Sequence, residues 1–255
     1  MCGRYVLEVT PGEVAGMFDL DDVPDFAPRY NIAPTQPILI VRHRDVPEGS
    51  NRPPREAINA RWGLVPGWVK DPEDFPLLIN ARSETAATKA SFRSAMKRGR
   101  VLMPASGFYE WQKLGEGRNA LKQAFFVRPR SGGTVAIAGL MEEGDTPSAA
   151  IMTVDAAGPF REIHDRMPVT VGPNDWDRWL DPAVPPADVA DVPRTPDDDF
   201  WEAIPVSDRV NRVREQGPEL IERVEPKRAD ATPRDAKPDE PAQEPVQEPV
   251  QGSLF

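Results

Sequence analysis

Scarcity is informative in this chain of 255 residues, which holds one cysteine, two histidines and three tyrosines. A single cysteine excludes an internal disulfide framework. With only His43 and His164 beside it, no set of residues stands at zinc-ligand spacing, so neither a metal nor another cofactor is expected. No apolar run reaches the ~18 residues that a membrane-spanning helix needs. Nor does the start read as a signal peptide, because Gly3 and Arg4 follow Cys2 at once and Pro11, Glu13 and Asp19 come soon after. The expectation is a cytoplasmic monomer. Lysine is scarce, arginine supplies most of the positive charge, and the net charge is -10. Proteins adapted to high salt show that balance, and strong screening there makes local clusters matter more than the total. One such cluster is Lys89, Arg93, Lys97, Arg98 and Arg100.

What the chain does have begins at Met1-Cys2. Loss of Met1 would leave Cys2 with a free α-amine and a thiol on neighbouring carbons. An internal residue cannot supply that pair, because its backbone nitrogen is an amide. Unperturbed, the amine titrates near ~7.7–8.0 and the thiol near ~8.5, so either is a nucleophile close to neutrality.

A hydrophobic fraction of 39% supports a real core, read here as one domain over 1–225 followed by a tail over 226–255. Thr10 and Pro11 open a helix that runs to Phe18. Apolar runs predict strands at 38–41, 57–62, 77–79, 101–104, 107–111, 123–127, 135–141, 150–154 and 169–171. The run at 77–79 delivers Asn80 and Arg82 to its end. Ser83 to Lys97 reads as a helix, Asn174 as the cap of a helix over 175–180, and 181–199 as a surface loop. Even strand spacing with polar turns favours an α+β fold, with a largely antiparallel sheet or barrel and short peripheral helices. In the tail, proline and acid dominate and Glu-Pro-Val-Gln repeats, a composition that predicts disorder. Its end, Gln251-Gly252-Ser253-Leu254-Phe255, resembles short peptides that dock on sliding clamps. Gln251 would enter a polar pocket there, and Leu254 and Phe255 an apolar one.

Several residues carry candidate chemistry. Glu110 lies between Tyr109 and Trp111, and strand alternation puts it on the opposite face; in a cleft its pKa would rise into the range of an acid–base catalyst. His164 is followed by Asp165 and Arg166. Trp62 and Trp68, with nearby arginines, offer stacking platforms for single-stranded nucleic acid.

The motifs MCGRY at 1–5, YNIAPTQ at 30–36, RWGLVPGW at 61–68, INARSET at 79–85, MPASGFYEW at 103–111 and IHDRMPV at 163–169 together resemble the SRAP (SOS response-associated peptidase) family. The resemblance spans Cys2 to about Glu225. It implies binding of single-stranded DNA and a covalent cross-link to abasic sites through Cys2, which would shield the lesion in an SOS-type response at the nucleoid. Asn80, Glu110 and His164 match the other catalytic positions. Arg4, Trp68 and the 30–36 segment, with Asn31 and Pro34, match parts of the DNA cleft, and Arg82 and Arg161 are candidates for phosphate contact. The amine would attack the open aldehyde to give an imine, and the thiol would close a thiazolidine ring. Weak lyase activity by β-elimination is a reasonable side reaction, and the peptidase name fits removal of what precedes Cys2. Three other readings stay open: an N-terminal-nucleophile amidohydrolase, a thiol peptidase, and a non-catalytic single-strand-binding module.

Overall fold

Each strand takes its place from a short apolar or alternating run, and the turns between them carry the prolines and acids. In chain order the strands are β1 (Tyr5–Leu7), β2 (Arg29–Ile32), β3 (Pro37–His43), β4 (Arg55–Trp62), β5 (Asn80–Arg82), β6 (Arg100–Ala105), β7 (Gly107–Leu114), β8 (Leu121–Pro129), β9 (Val135–Glu142), β10 (Ser148–Asp155), β11 (Arg166–Pro168) and β12 (Trp201–Val206). Among the described residues, four short α-helices accompany them: α1 (Pro11–Phe18), α2 (Ser83–Ala86), α3 (Arg93–Arg98) and α4 (Trp176–Leu180). This computed structural model describes residues 2–227 apart from 48, 117–119, 195, 196 and 198. The disorder expected for the tail and the clamp peptide at Gln251, Leu254 and Phe255 concern residues beyond that range.

The fold is α+β, as expected. One sheet has the order β12-β8-β7-β1-β2. The other runs β11-β10-β4-β3-β6-β9, and because β9 also pairs with β10, strands β10, β4, β3, β6 and β9 close on themselves as a barrel. Pairing is antiparallel except where β10 meets β4 and β5. Strand β3, between β4 and β6, buries Ile38, Leu39, Ile40 and Val41 without alternation, the pattern of a strand covered on both faces.

Helix α1 forms because Thr10 and Glu13 make a capping box, with Glu13 Oε2 accepting from the Thr10 N–H at 2.7 Å. The helix expected over 83–97 is instead two short ones. Between them Thr88 Oγ1 donates to the Thr85 carbonyl at 3.2 Å, the local bonding by which threonine competes with helix continuation. The 77–79 run is not itself a strand: Leu78 makes one bridge to Leu64, and pairing with β10 begins at Asn80. Likewise the last barrel-side strand is β11 at 166–168, not 169–171, and Asn174 caps nothing, since α4 follows a 3-10 turn at Pro173–Asp175. Strands β1, β2 and β12 were not anticipated. Pro205 fits within β12 because that strand lies at a sheet edge, where a missing N–H is tolerated.

Arg100 leaves the basic cluster altogether. It is buried and donates to the carbonyl oxygens of Met96, Trp179, Asp181 and Val184, tying β6 to the end of α4. Lys89, Arg93, Lys97 and Arg98 remain exposed.

Candidate active site

The start of the chain is placed by β1. Its antiparallel register on β7 pairs Tyr5 with Phe108, and Tyr109 N–H donates to the Arg4 carbonyl at 2.9 Å, so Glu110 comes alongside Gly3. From another direction β5, laid parallel on β10, brings Asn80 to Cys2: Asn80 Nδ2 donates to the Cys2 carbonyl at 2.9 Å. Asn80 Oδ1 is buried and has no hydrogen-bond partner among the described residues. A buried acceptor of this kind is stabilised by any N–H or O–H that enters.

His164 faces Glu110 from the turn before β11, with Nε2 at 4.0 Å from Glu110 Oε2. On the far side of the ring, Nδ1 accepts from the Arg166 N–H at 2.9 Å and lies 2.8 Å from Asp165 Oδ1. Nδ1 cannot accept from the Arg166 N–H and donate to Asp165 at once. Burial, with other local charge, lowers the His164 pKa, so the neutral ring dominates near pH 7. In that form Nδ1 accepts from Arg166 and Nε2–H points toward Glu110; protonation would engage Asp165 instead.

Glu110 is 2% exposed, and burial raises its pKa to about 7, with the charge of Asp165 adding to the effect. That places it in the range expected for an acid–base group in a cleft. The thiol departs from expectation. Cys2 is fully buried, and burial first, then the nearby charge of Glu110, pushes its pKa well above the ordinary thiol range. Near neutrality the sulfur is therefore protonated, with Sγ 3.8 Å from the Arg4 carbonyl oxygen that accepts from it.

The expected DNA-facing residues separate into two groups. Trp62 and Asn31 are corrections, because both have no exposed surface. Trp62 Nε1 donates to the Ile79 carbonyl at 3.0 Å and the ring packs edge-on against Tyr5. Asn31 Nδ2 donates to the carbonyls of Val210, Arg212 and Glu215, and its Oδ1 accepts from Arg4 at 2.8 Å. A fully buried side chain offers no face to a strand arriving from solvent. Arg4, half-buried, also donates to the Val210 carbonyl. In contrast, Trp68 is 59% exposed, with its ring edge-on to Phe75, while Arg82 and Arg161 are exposed and Pro34 is half-buried beside the exposed turn residue Thr35.

A groove of about 430 Å³ starts at Asn80 and is lined by Leu77, Ile79, Arg82, Lys89 and Phe92. It has an apolar floor and two cations on its sides. Sequence reasoning gave no role to Arg166 and did not single out Gln112. Arg166 is buried and pairs with Glu84 at 2.8 Å and Asp155 at 2.5 Å, joining α2, β10 and β11 behind His164. Its place two residues after His164 was the available signal. Gln112 had the corresponding signal on β7, two residues after Glu110 on the same face.

Most of the chain is similar to known proteins. The profile described as SOS response associated peptidase (SRAP) matches residues 1–213. The chain is 35% identical over 232 residues to the abasic site processing protein YoqW of Bacillus subtilis, covering 87% of this chain and 99% of that one. It is 33% identical over 239 residues to the abasic site processing protein YedK of Escherichia coli, covering 88% and 100%. Among solved structures, a protein from Bacteroides thetaiotaomicron shares the fold with a TM-score of 0.73 at 21% identity, covering 88% of this chain and 100% of that one. A phage-related protein from Bordetella bronchiseptica aligns with a TM-score of 0.64 at 27% identity, covering 80% and 94%.

Proposed function

This chain belongs to the SOS response associated peptidase family, and from that premise we propose that it processes abasic sites in single-stranded DNA by a covalent cross-link to Cys2. The observation that carries the reading is the meeting of three separate segments at the chain's start: Asn80 bonds the Cys2 carbonyl, the Glu110 charge acts on the Cys2 thiol, and His164 faces Glu110.

With Met1 removed, the Cys2 amine is the first nucleophile, because the thiol is held protonated. His164 assists opening of the sugar hemiacetal to the aldehyde by moving a proton at the ring oxygen. The amine nitrogen attacks the aldehyde carbon to form a carbinolamine. Glu110, poised near pH 7, delivers a proton to the departing hydroxyl, and water leaves as the C=N bond forms. Sγ then adds to the imine carbon while its proton passes to nitrogen, closing the five-membered ring. In sum, amine, thiol and aldehyde give thiazolidine and one water. Ring closure is intramolecular, and effective molarities in well-oriented systems reach ~10⁵ M or more, so the ring outlasts the imine. Asn80 Oδ1 accepts from the amine or the carbinolamine hydroxyl. Loss of a proton from the carbon next to the imine accounts for weak lyase activity.

DNA lies along the Asn80 groove, with Arg82 and Lys89 on phosphates and Trp68 stacking on a base. A thiolate peptidase or amidohydrolase draws no support from a thiol whose ionisation burial opposes. The protein acts as a monomer at the cytoplasmic nucleoid, and the Gln251, Leu254 and Phe255 peptide recruits it to a sliding clamp. A pull-down in which deletion of the last five residues leaves clamp capture unchanged disposes of that last point.

The deciding experiment incubates the protein with single-stranded DNA carrying an abasic site, then denatures and weighs the product. The expected mass is DNA plus the chain lacking Met1, minus one water. Absence of a shifted band, or an equal band from Cys2→Ala, refutes the cross-link.

A further inference from the structure

Strand β7 presents three side chains in a row to the segment that carries His164, and each meets a different point of it. Residues two apart on a strand share a face. Phe108 lies edge-on to Phe160, with ring centroids 5.8 Å apart. Glu110 Oε2 stands 4.0 Å from His164 Nε2. Gln112 Nε2 donates to the Glu162 carbonyl oxygen at 2.9 Å.

The segment is a 3-10 turn, Gly158–Glu162, folded back so that the Phe160 carbonyl accepts from the N–H of Ile163 at 2.9 Å and of His164 at 3.1 Å. Behind it, Arg161 Nε donates to the Ala156 carbonyl at 2.7 Å. The aromatic contact sets the spacing between strand and turn but has little say over rotation about it. A hydrogen bond to a backbone carbonyl is directional. Gln112 thus fixes the chain two residues before His164, and the Arg166 N–H on Nδ1 fixes the ring from two residues after.

From this bracketing we infer that Gln112 is a positioning residue, which holds the Glu162–His164 stretch on β7 so that His164 Nε2 faces Glu110. The inference rests on the reading of Glu110 and His164 as the proton-transfer pair. The charged groups around His164 are Glu110 from β7, Asp165 from its own turn and the amine at the chain's start, while Arg166 at the start of β11 offers it a backbone N–H. Without the Gln112 donor the turn is free to lift from β7, and the ring moves away from Glu110 toward solvent. The bond itself is solvent-exposed, so its loss changes geometry and leaves the fold standing.

The test is Gln112→Met, which keeps the shape of the side chain and removes the donor, beside Lys113→Met on the opposite face. With only two histidines in the chain, NMR titration reads His164 directly and His43 serves as the internal reference. Gln112→Met should raise the His164 midpoint toward the ordinary value of ~6.5, with His43 and the melting temperature unmoved. On abasic single-stranded DNA at saturation, cross-linking should slow by roughly tenfold to a hundredfold with its pH profile displaced, while DNA affinity holds. A His164 titration in Gln112→Met that matches wild type overturns the inference, as does an equal loss of rate in Lys113→Met. If wild type forms no adduct at all, the proposed reaction fails while the titration still decides the role of Gln112.

Discussion

Asn80 donates its side-chain N–H to the carbonyl oxygen of Cys2 at 2.9 Å, a bond between residues 78 positions apart. It pins the start of the chain, which would otherwise fray, to a strand laid on the barrel. The same side chain keeps its Oδ1 buried and without a partner among the described residues, so in the proposed reaction one amide would both anchor Cys2 and offer an acceptor to the sugar it attacks.

The order of bond formation is open to test at Cys2 itself. Cys2→Ser keeps the amine and loses the thiol; it should give an adduct only when borohydride reduces the imine, whereas wild type survives denaturation unreduced. Protein purified with Met1 retained should give no thiazolidine, although the thiol is present. A stable unreduced adduct from either preparation, read by intact mass, contradicts amine attack followed by ring closure.

Glu110 carries a linkage prediction for stability. Its pKa is raised to about 7 in the folded chain, against ~4.3 for an unfolded glutamate. Between those values the native state holds a proton that the unfolded state has lost, so stability falls as pH rises through this window. Glu110→Gln removes the titration. It should be more stable than wild type at pH 8, by on the order of a few kcal/mol, and the difference should vanish below about pH 4. Melting curves at pH 4, 6 and 8 provide the check, and cross-linking by the same variant should be lost.

The two tryptophans of the 61–68 motif should separate cleanly. Trp62→Ala empties a fully buried site and is expected to destabilise the fold by about 3–5 kcal/mol. Trp68→Ala should leave the melting temperature unchanged and weaken single-stranded DNA binding by roughly 1–3 kcal/mol, the range for one stacked base. Denaturant melts and fluorescence-anisotropy titrations distinguish the two losses.

A similar division holds within the basic run. Arg100→Ala leaves several buried carbonyls without their donor and should destabilise the protein by roughly 3 kcal/mol. Lys89→Glu, on the exposed side of the groove, should change stability little while lowering DNA affinity and flattening its dependence on salt. Affinities measured across a range of salt concentrations test the second statement.

Much of the site was legible in the chain because its signals are local. The Met1-Cys2 start marks the proposed nucleophile, strand alternation turns Glu110 away from Tyr109 and Trp111, and Thr10 with Glu13 spells out the cap of α1. What was not legible depended on partners far along the chain. Nothing near Trp62, Asn31 or Arg100 says whether they face solvent or core. Asn31 is buried because residues 210–215 close over it, and Arg100 because the end of α4 supplies carbonyls to it. The strand at Asn80 begins where β10 offers an edge, not where its own apolar run begins.

The sequence by itself determined the class of fold, since hydrophobic periodicity is a short-range property, and it supplies at Cys2 the single cysteine on which the proposed amine-and-thiol chemistry depends. Tertiary structure decided the protonation states. Burial beside Glu110 holds the thiol protonated, desolvation raises Glu110 to about 7 and lowers His164, and each shift arises from low-dielectric surroundings that segments distant in sequence build together.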